Sequence, residues 1–315
     1  MRARCWVGKR FAMPLNPRRT RVTLFAVCCI VVLLSGCGAA RPGRFEAFAA
    51  AGTTYTKARG EFLRQSLELY VDRDSLELRK QHAATNLSVA DRQQLLSAQD
   101  KIVLERVKIV DDLERHGDVL RQYFAALAQL SSSKGVAGAE SAAGGLAAEI
   151  AKLSESLGAS SIGGVPIGAV LSRVSGFAIG SFRNRALARH LEANAATIDR
   201  ELWLEEEALR LITEEMIADQ TALRNEARRT MVTVPYRADA PLPADWEKAR
   251  RVQLLAEAGI ARAKAAQDAA RELRLAYEAL CKGANENAGV TDLQTAVGRL
   301  VRYVGDFGAT QTQNP

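Results

Sequence analysis

Between residues 45 and 76 the chain places Phe48, Tyr55, Phe62, Leu69 and Leu76 at seven-residue steps, with Phe45 three before Phe48. A seven-residue apolar step keeps one helix face on a partner helix, whereas a half-buried strand alternates every second residue. The pattern predicts a first long helix that ends in a turn near residues 83–87. Ser88, with Asp91 three residues later, then supplies an N-cap for the next helix. That second helix, over about 89–130, carries Val103, Val107, Val110, Leu113, Leu120, Phe124 and Leu127 at three- and four-residue spacing.

The same spacing recurs downstream. An Ala-rich stretch at 139–157 reads as a shorter helix. A third long helix over 184–231 carries Leu187, Leu191, Ile198, Leu202, Leu209, Ile212, Met216 and Leu223. Pro235, Pro241 and Pro243 break the chain before a fourth at 244–282, with Trp246, Val252, Leu255, Ile260, Leu273, Tyr277 and Leu280. A last short helix is predicted over 291–307, before a polar, disordered tail at 308–315. Between Pro42 and Pro235 the only proline is Pro166, so helix breakers are scarce. These elements predict an all-α fold: an elongated antiparallel bundle of four long helices plus shorter helices, with coiled-coil-like packing, forming one domain over 44–307.

One stretch departs from the amphipathic pattern. In residues 162–182 the only charged residue is Arg173, and Ser160, Gly164, Gly168, Ser172, Gly176 and Gly180 fall four apart. On a helix those small residues would form a groove that admits another backbone closely. The alternative inside the bundle is a hairpin bent at Gly163, Gly164 and Pro166. A third reading has the segment 160–182 entering a bilayer, against which Arg173 would cost about 2.5 to 3.5 kcal/mol.

The N-terminal residues follow different logic. Arg18, Arg19 and Arg21 precede a run, 22–34, that is apolar except for Thr23, and Leu34-Ser35-Gly36-Cys37 follows directly. A basic end and a short apolar core mark a secretory targeting segment, too short to span a bilayer as a helix. The order resembles a bacterial lipoprotein signal peptide with its lipobox. That resemblance implies that 1–36 is removed, whether Met1 or Met13 is the start. Cys37 would become the acylated N-terminus, followed by a short tether over 37–43. It also implies a membrane-lipid partner through Cys37, with the outer membrane favoured because Gly38 and Ala39 lack the aspartate that retains such proteins at the inner one.

Removal of that segment changes the charge. The whole chain carries a formal +7, but Arg2, Arg4, Lys9, Arg10, Arg18, Arg19 and Arg21 all lie before Cys37 and no acid does. The remainder holds 36 basic against 36 acidic residues. A neutral chain gives no support for nucleic-acid binding, which rests on a net basic surface that releases counterions. Arg183, Arg185, Arg189 and His190 form a local basic run that reads as a solvated helix face. Of five cysteines, Cys281 alone would remain unmodified, so no internal disulfide is available. Its spacing from Leu273, Tyr277 and Leu280 predicts a small buried residue.

Chemistry-bearing motifs are missing. None of His82, His116 and His190 stands three after a Glu, as in di-iron bundles. The sequence has no H-E-x-x-H, no zinc-type cysteine pair, no Walker loop and no G-x-S-x-G. Glu205, Glu206 and Glu207, with Glu214 and Glu215, make a carboxylate run, but consecutive helical positions face different ways and Arg200 and Arg210 lie nearby. It therefore reads as a solvated face. The sequence thus points to no catalytic residue, no metal and no cofactor. Two functions stay open: a non-enzymatic, lipid-anchored scaffold that docks another envelope protein, or a membrane-active protein that inserts the Gly-rich segment. An apolar ligand carrier is a third, weaker reading.

Overall fold

The computed structural model describes residues 43–84, 87–132, 138–170, 179–180, 182, 185–282 and 288–311, without the side chains of 84, 169–170, 255–261, 288 and 306–311. Cys37, Ser172, Arg173 and Gly176 lie outside these residues. Gly43–Pro315 forms one compact unit, distinct from Met1–Pro42.

Helix α1 runs Arg44–Ala84 and α2 runs Val89–Ser131, and both match the expected spans closely. Ser88 caps α2 as anticipated, accepting a hydrogen bond from the Asp91 amide. Helix α3 is Ala139–Gly158 and α4 is Arg185–Arg228. Beyond α4 a π-helical turn, Arg229–Thr233, precedes a single α-turn, Val234–Arg237. Pro235 has no amide to return to residue 231, and Val234 instead bonds Arg229, five residues back.

The expected fourth helix is interrupted. It divides into α5, Trp246–Ile260, and α6, Ala265–Cys281, joined by a 3-10 turn, Ala261–Lys264, just after Gly259. The last helix, α7, is Ala288–Gln311, so residues 308–311 continue the helix where a disordered tail was expected.

Packing closes these helices into a ring. Helix α1 lies on α2, α2 on α3, α3 on α4, α4 on α6, α6 on α7, and α7 returns to α1, which also touches α4 across the middle. The shorter helices are thus wall elements of the bundle rather than appendages. An aromatic cluster fills one level: Phe48 meets Phe124 edge-on at 4.8 Å, and Tyr277 lies 6.2 Å from Phe48. Gly52 makes that level possible, because a β-carbon there would stand 2.9 Å from the Phe124 ring.

The Gly-rich segment is not a helix in its described part. Ser161–Ile162 and Val165–Pro166 pair as an antiparallel hairpin, with Ile162 opposite Val165. Gly163 and Gly164 form its two-residue turn at φ 58° and 78°, left-handed values that L side chains resist and this tight turn needs. The helical groove is therefore corrected in favour of the bent hairpin. Gly164, Gly168 and Gly180 share no helix face. Gly164 sits in the open turn, whereas Gly168 approaches the end of α3, where a β-carbon would meet Gly158 O at 2.5 Å. Gly180 donates its amide to Cys281 O at 2.9 Å. Among the described residues no helix is long and apolar enough to cross a membrane.

Candidate functional site

The apolar stripes of α1, α2 and α4 are interrupted by charged or titratable residues at one level of the bundle. Arg59 falls four after Tyr55 and three before Phe62, on the face that α1 buries. His116 falls three after Leu113 and four before Leu120 on α2. Glu205 lies seven residues from both Ile198 and Ile212 on α4, and Glu201 stands one turn before it. Helical spacing aims all four at the core, where none is more than 1% exposed.

They meet there. Arg59 donates to Glu205 Oε1 at 2.5 Å, and the Tyr55 hydroxyl donates to the same oxygen at 2.9 Å. The other arm of the guanidinium donates to the Leu113 carbonyl at 2.7 Å, binding α1 to the α2 backbone. Gly117 makes room for it, since the guanidinium fills the space a β-carbon would take. His116 stands between the carboxylates, with Nδ1 3.4 Å from Glu205 Oε2 and Nε2 3.7 Å from Glu201 Oε2. Arg200, at the surface, donates through Nε and its terminal nitrogen to Glu201 Oε1 at 3.2 and 3.0 Å.

With His116 protonated, Arg59 and His116 oppose Glu201 and Glu205 in the core, and Arg200 meets Glu201 from the surface. Burial disfavours the imidazolium, but the flanking Glu201 and Glu205 outweigh it and hold the His116 pKa above its ordinary value. Burial likewise opposes the Glu205 carboxylate, and Arg59 with His116 reverses that, lowering it to about 2. The Tyr55 phenol is raised well above 10 by burial and by Glu205, so it stays a neutral donor. The arrangement can hold a proton between two acids. It also joins three helices by charge-assisted bonds.

Beside it, between α1 and α2, an open groove of about 370 Å³ reaches Arg59. Its rim mixes Lys57, Arg64 and Arg121 with Glu61, Glu114 and Asp118, which gives it no single sign of charge. Among the described residues no group of His, Cys, Asp or Glu is arranged to hold a metal ion.

The carboxylate run thus divides in a way the sequence reading did not foresee. Glu207 and Glu214 do bracket Arg210 on the outer face, at 2.6 and 2.7 Å. Glu205 points inward, which corrects the solvated-face reading for that residue. Glu206 reaches Arg274 at 2.8 Å, whose guanidinium lies 4.0 Å over the Trp203 ring. The signal was there: a charged residue in step with an apolar stripe has nowhere to go but the core.

The basic run at 183–190 needs a similar correction. Arg189 is exposed and pairs with Glu140 at 3.2 Å, but His190 is buried against Tyr123, with Nε2 3.2 Å from its hydroxyl. Arg183 is outside the described residues. Cys281 is buried as expected, and burial pushes its thiol up to about 12, so it is an inert apolar group at neutral pH. Comparison of the chain with protein-family models, curated proteins and solved structures gives no significant match.

Proposed function

We propose that this chain is a lipid-anchored envelope protein whose helical bundle serves as a non-enzymatic scaffold for another envelope component. The observation that carries the scaffold reading is the buried cluster of Arg59, His116, Glu201 and Glu205. Its charged groups pair with one another out of solvent, and a buried ion network of this kind suits fixing helix register better than turning over a substrate. Long apolar stripes can slide past each other by a heptad at small cost, and one level of matched charge removes that freedom. A fixed helix register is what a docking platform requires.

The anchoring half of the reading rests on Leu34-Ser35-Gly36-Cys37. Two or three acyl chains on Cys37, each contributing about 0.8 kcal/mol per buried methylene, would anchor the protein stably. Residues 38–43 span at most about 20 Å, so the bundle would stand close to the bilayer. The outer membrane is the proposed location. The membrane-active alternative depends on a segment 160–182 that leaves the bundle; the hairpin at 161–166 and the buried Ile162 and Ile167 argue for a packing role instead.

The test is Cys37→Ala in the native host. The variant should accumulate as an uncleaved or mislocalised precursor that takes up no labelled palmitate, while cross-linking of the wild type should capture a discrete envelope protein. Normal processing and sorting of Cys37→Ala would overturn the anchor, and liposome leakage by the delipidated wild type would overturn the scaffold reading.

A further inference from the structure

The segment that links α4 to α5 is built as a protrusion. Every residue from 236 to 245 is exposed, with Pro235, Pro241 and Pro243 limiting its freedom. Met231, Val234, Tyr236 and Leu242 show their apolar side chains to solvent, Tyr236 at 68% and Val234 at 52%. Tyr236 stacks on Trp246 with centroids 5.6 Å apart, and the indole N–H is satisfied by Val232 O at 3.0 Å. The result is an aromatic pair at the surface where α4 gives way to α5.

Charge around that pair is net basic. Residues 228–251 hold Arg228, Arg229, Arg237, Lys248, Arg250 and Arg251 against Asp239, Asp245 and Glu247. Arg229 is partly committed to Glu226, at the end of α4, and the other five basic residues are exposed. The chain after Cys37 is neutral as a whole, so this excess is local. Exposed Met, Val and Leu, an aromatic pair and a basic rim match the layered chemistry of a bilayer interface carrying acidic headgroups. A protein partner would instead call for a patch whose centre is depleted of charged residues.

We infer that the α4–α5 tip docks onto anionic phospholipid, with Tyr236, Leu242 and Met231 entering the interface and Arg237, Arg250 and Arg251 meeting headgroup phosphates. This contact is independent of acylation at Cys37. The chain enters the bundle at Gly43, and Lys80, near the far end of α1, lies 3.9 Å from Glu226 beside the tip. The length of α1 therefore separates the tip from that entry point by roughly 60 Å. A protein held by both ends would bridge two lipid surfaces.

The experiment uses residues 38–315 without an acyl group, which contain the whole compact unit and cannot bind vesicles through Cys37. Co-sedimentation is measured with phosphatidylcholine vesicles, with and without phosphatidylglycerol, at low and high salt. Binding should require phosphatidylglycerol and weaken with salt. Arg237→Gln with Arg251→Gln should weaken it by about 25-fold, at about fivefold for each cation removed. Leu242→Asp should weaken it comparably while leaving the melting temperature unchanged, since the side chain is exposed. Binding to neutral vesicles alone, no binding, or undiminished binding by both variants would overturn the inference. So would a dimer in solution that Leu242→Asp dissociates, which would assign the tip to a second copy of the chain.

Discussion

The two ends of this bundle share α1, α2 and α4 and are held by different forces. At the end where the chain enters, α1, α2, α3, α4, α6 and α7 form a ring, and side chains such as Phe48, Leu113, Tyr123 and Ile198 are essentially inaccessible. At the other end lie the later part of α1, the first part of α2, the last part of α4 and α5. Among the described side chains beyond Leu69 on α1, before Arg106 on α2 and after Met216 on α4 and α5, only Leu76 is buried. Val110, Val103, Leu96 and Val89 form one seven-residue seam on α2, buried at Val110 and 79% exposed at Val89. The helix does not change along that seam. Its neighbours run out.

Polar contacts replace apolar ones where the walls are missing. Gln99 bonds Asp74 at 3.0 Å, Arg106 pairs with Glu215, and Lys80 approaches Glu226. An exposed pair such as Lys80–Glu226 stabilises far less than a filled core. The comparison therefore predicts a molecule whose stability resides in the entry end and whose other end opens at lower cost.

The largest expected effect is at the buried cluster. Glu205→Ala leaves Arg59 and His116 without their main partner in the core and should cost about 3 to 5 kcal/mol, measured by urea unfolding. The matching change at the other end, Glu226→Ala, should leave the urea midpoint nearly unchanged. Equal losses at the two sites would dissolve the distinction. Gly117→Ala comes next: the added methyl must displace the Arg59 guanidinium, an overpacking strain of about 1 to 3 kcal/mol by the same measurement.

pH should act on the entry end from both sides. The raised His116 gives a stabilisation that is complete below its unfolded value of 6.5 and is lost as pH climbs through the elevated folded value. The depressed Glu205 gives one that is complete above 4.5 and is lost as pH falls towards about 2. Both operate fully between those limits. The unfolding midpoint should decline from pH 6.5 upward, and in His116→Gln that decline should flatten. A wild-type profile level from pH 6 to 9 would contradict the charge assignment.

The smallest effect is diagnostic for that reason. Leu96→Ala removes a large apolar side chain that is 49% exposed and should change stability by no more than about 0.5 kcal/mol. Amide exchange should agree, with residues 92–104 exchanging through openings of lower free energy than residues 113–127 of the same helix. Uniform protection along α2 would show that the outer seam is covered in solution.

Heptad steps made α1 legible residue by residue, and Ser88 with Asp91 located the start of α2, because periodicity and capping are local rules that hold without knowledge of neighbours. Those rules sufficed for the all-α class and for a buried Cys281. They could not tell whether Gly164 and Gly168 sat on a helix or in a hairpin, since four-residue spacing of small residues is compatible with both, and the Gly163–Gly164 turn prevails once Ile162 and Ile167 find the core. Nor could they fix which short helices wall the ring. Glu205 lay in plain sight as one of three consecutive glutamates, and its periodicity marked it as inward. That an inward carboxylate is sustained depends on Arg59 from α1 and His116 from α2, which are 146 and 89 positions away in the chain. Local spacing sets where a side chain points, and only the assembled bundle sets what it meets there.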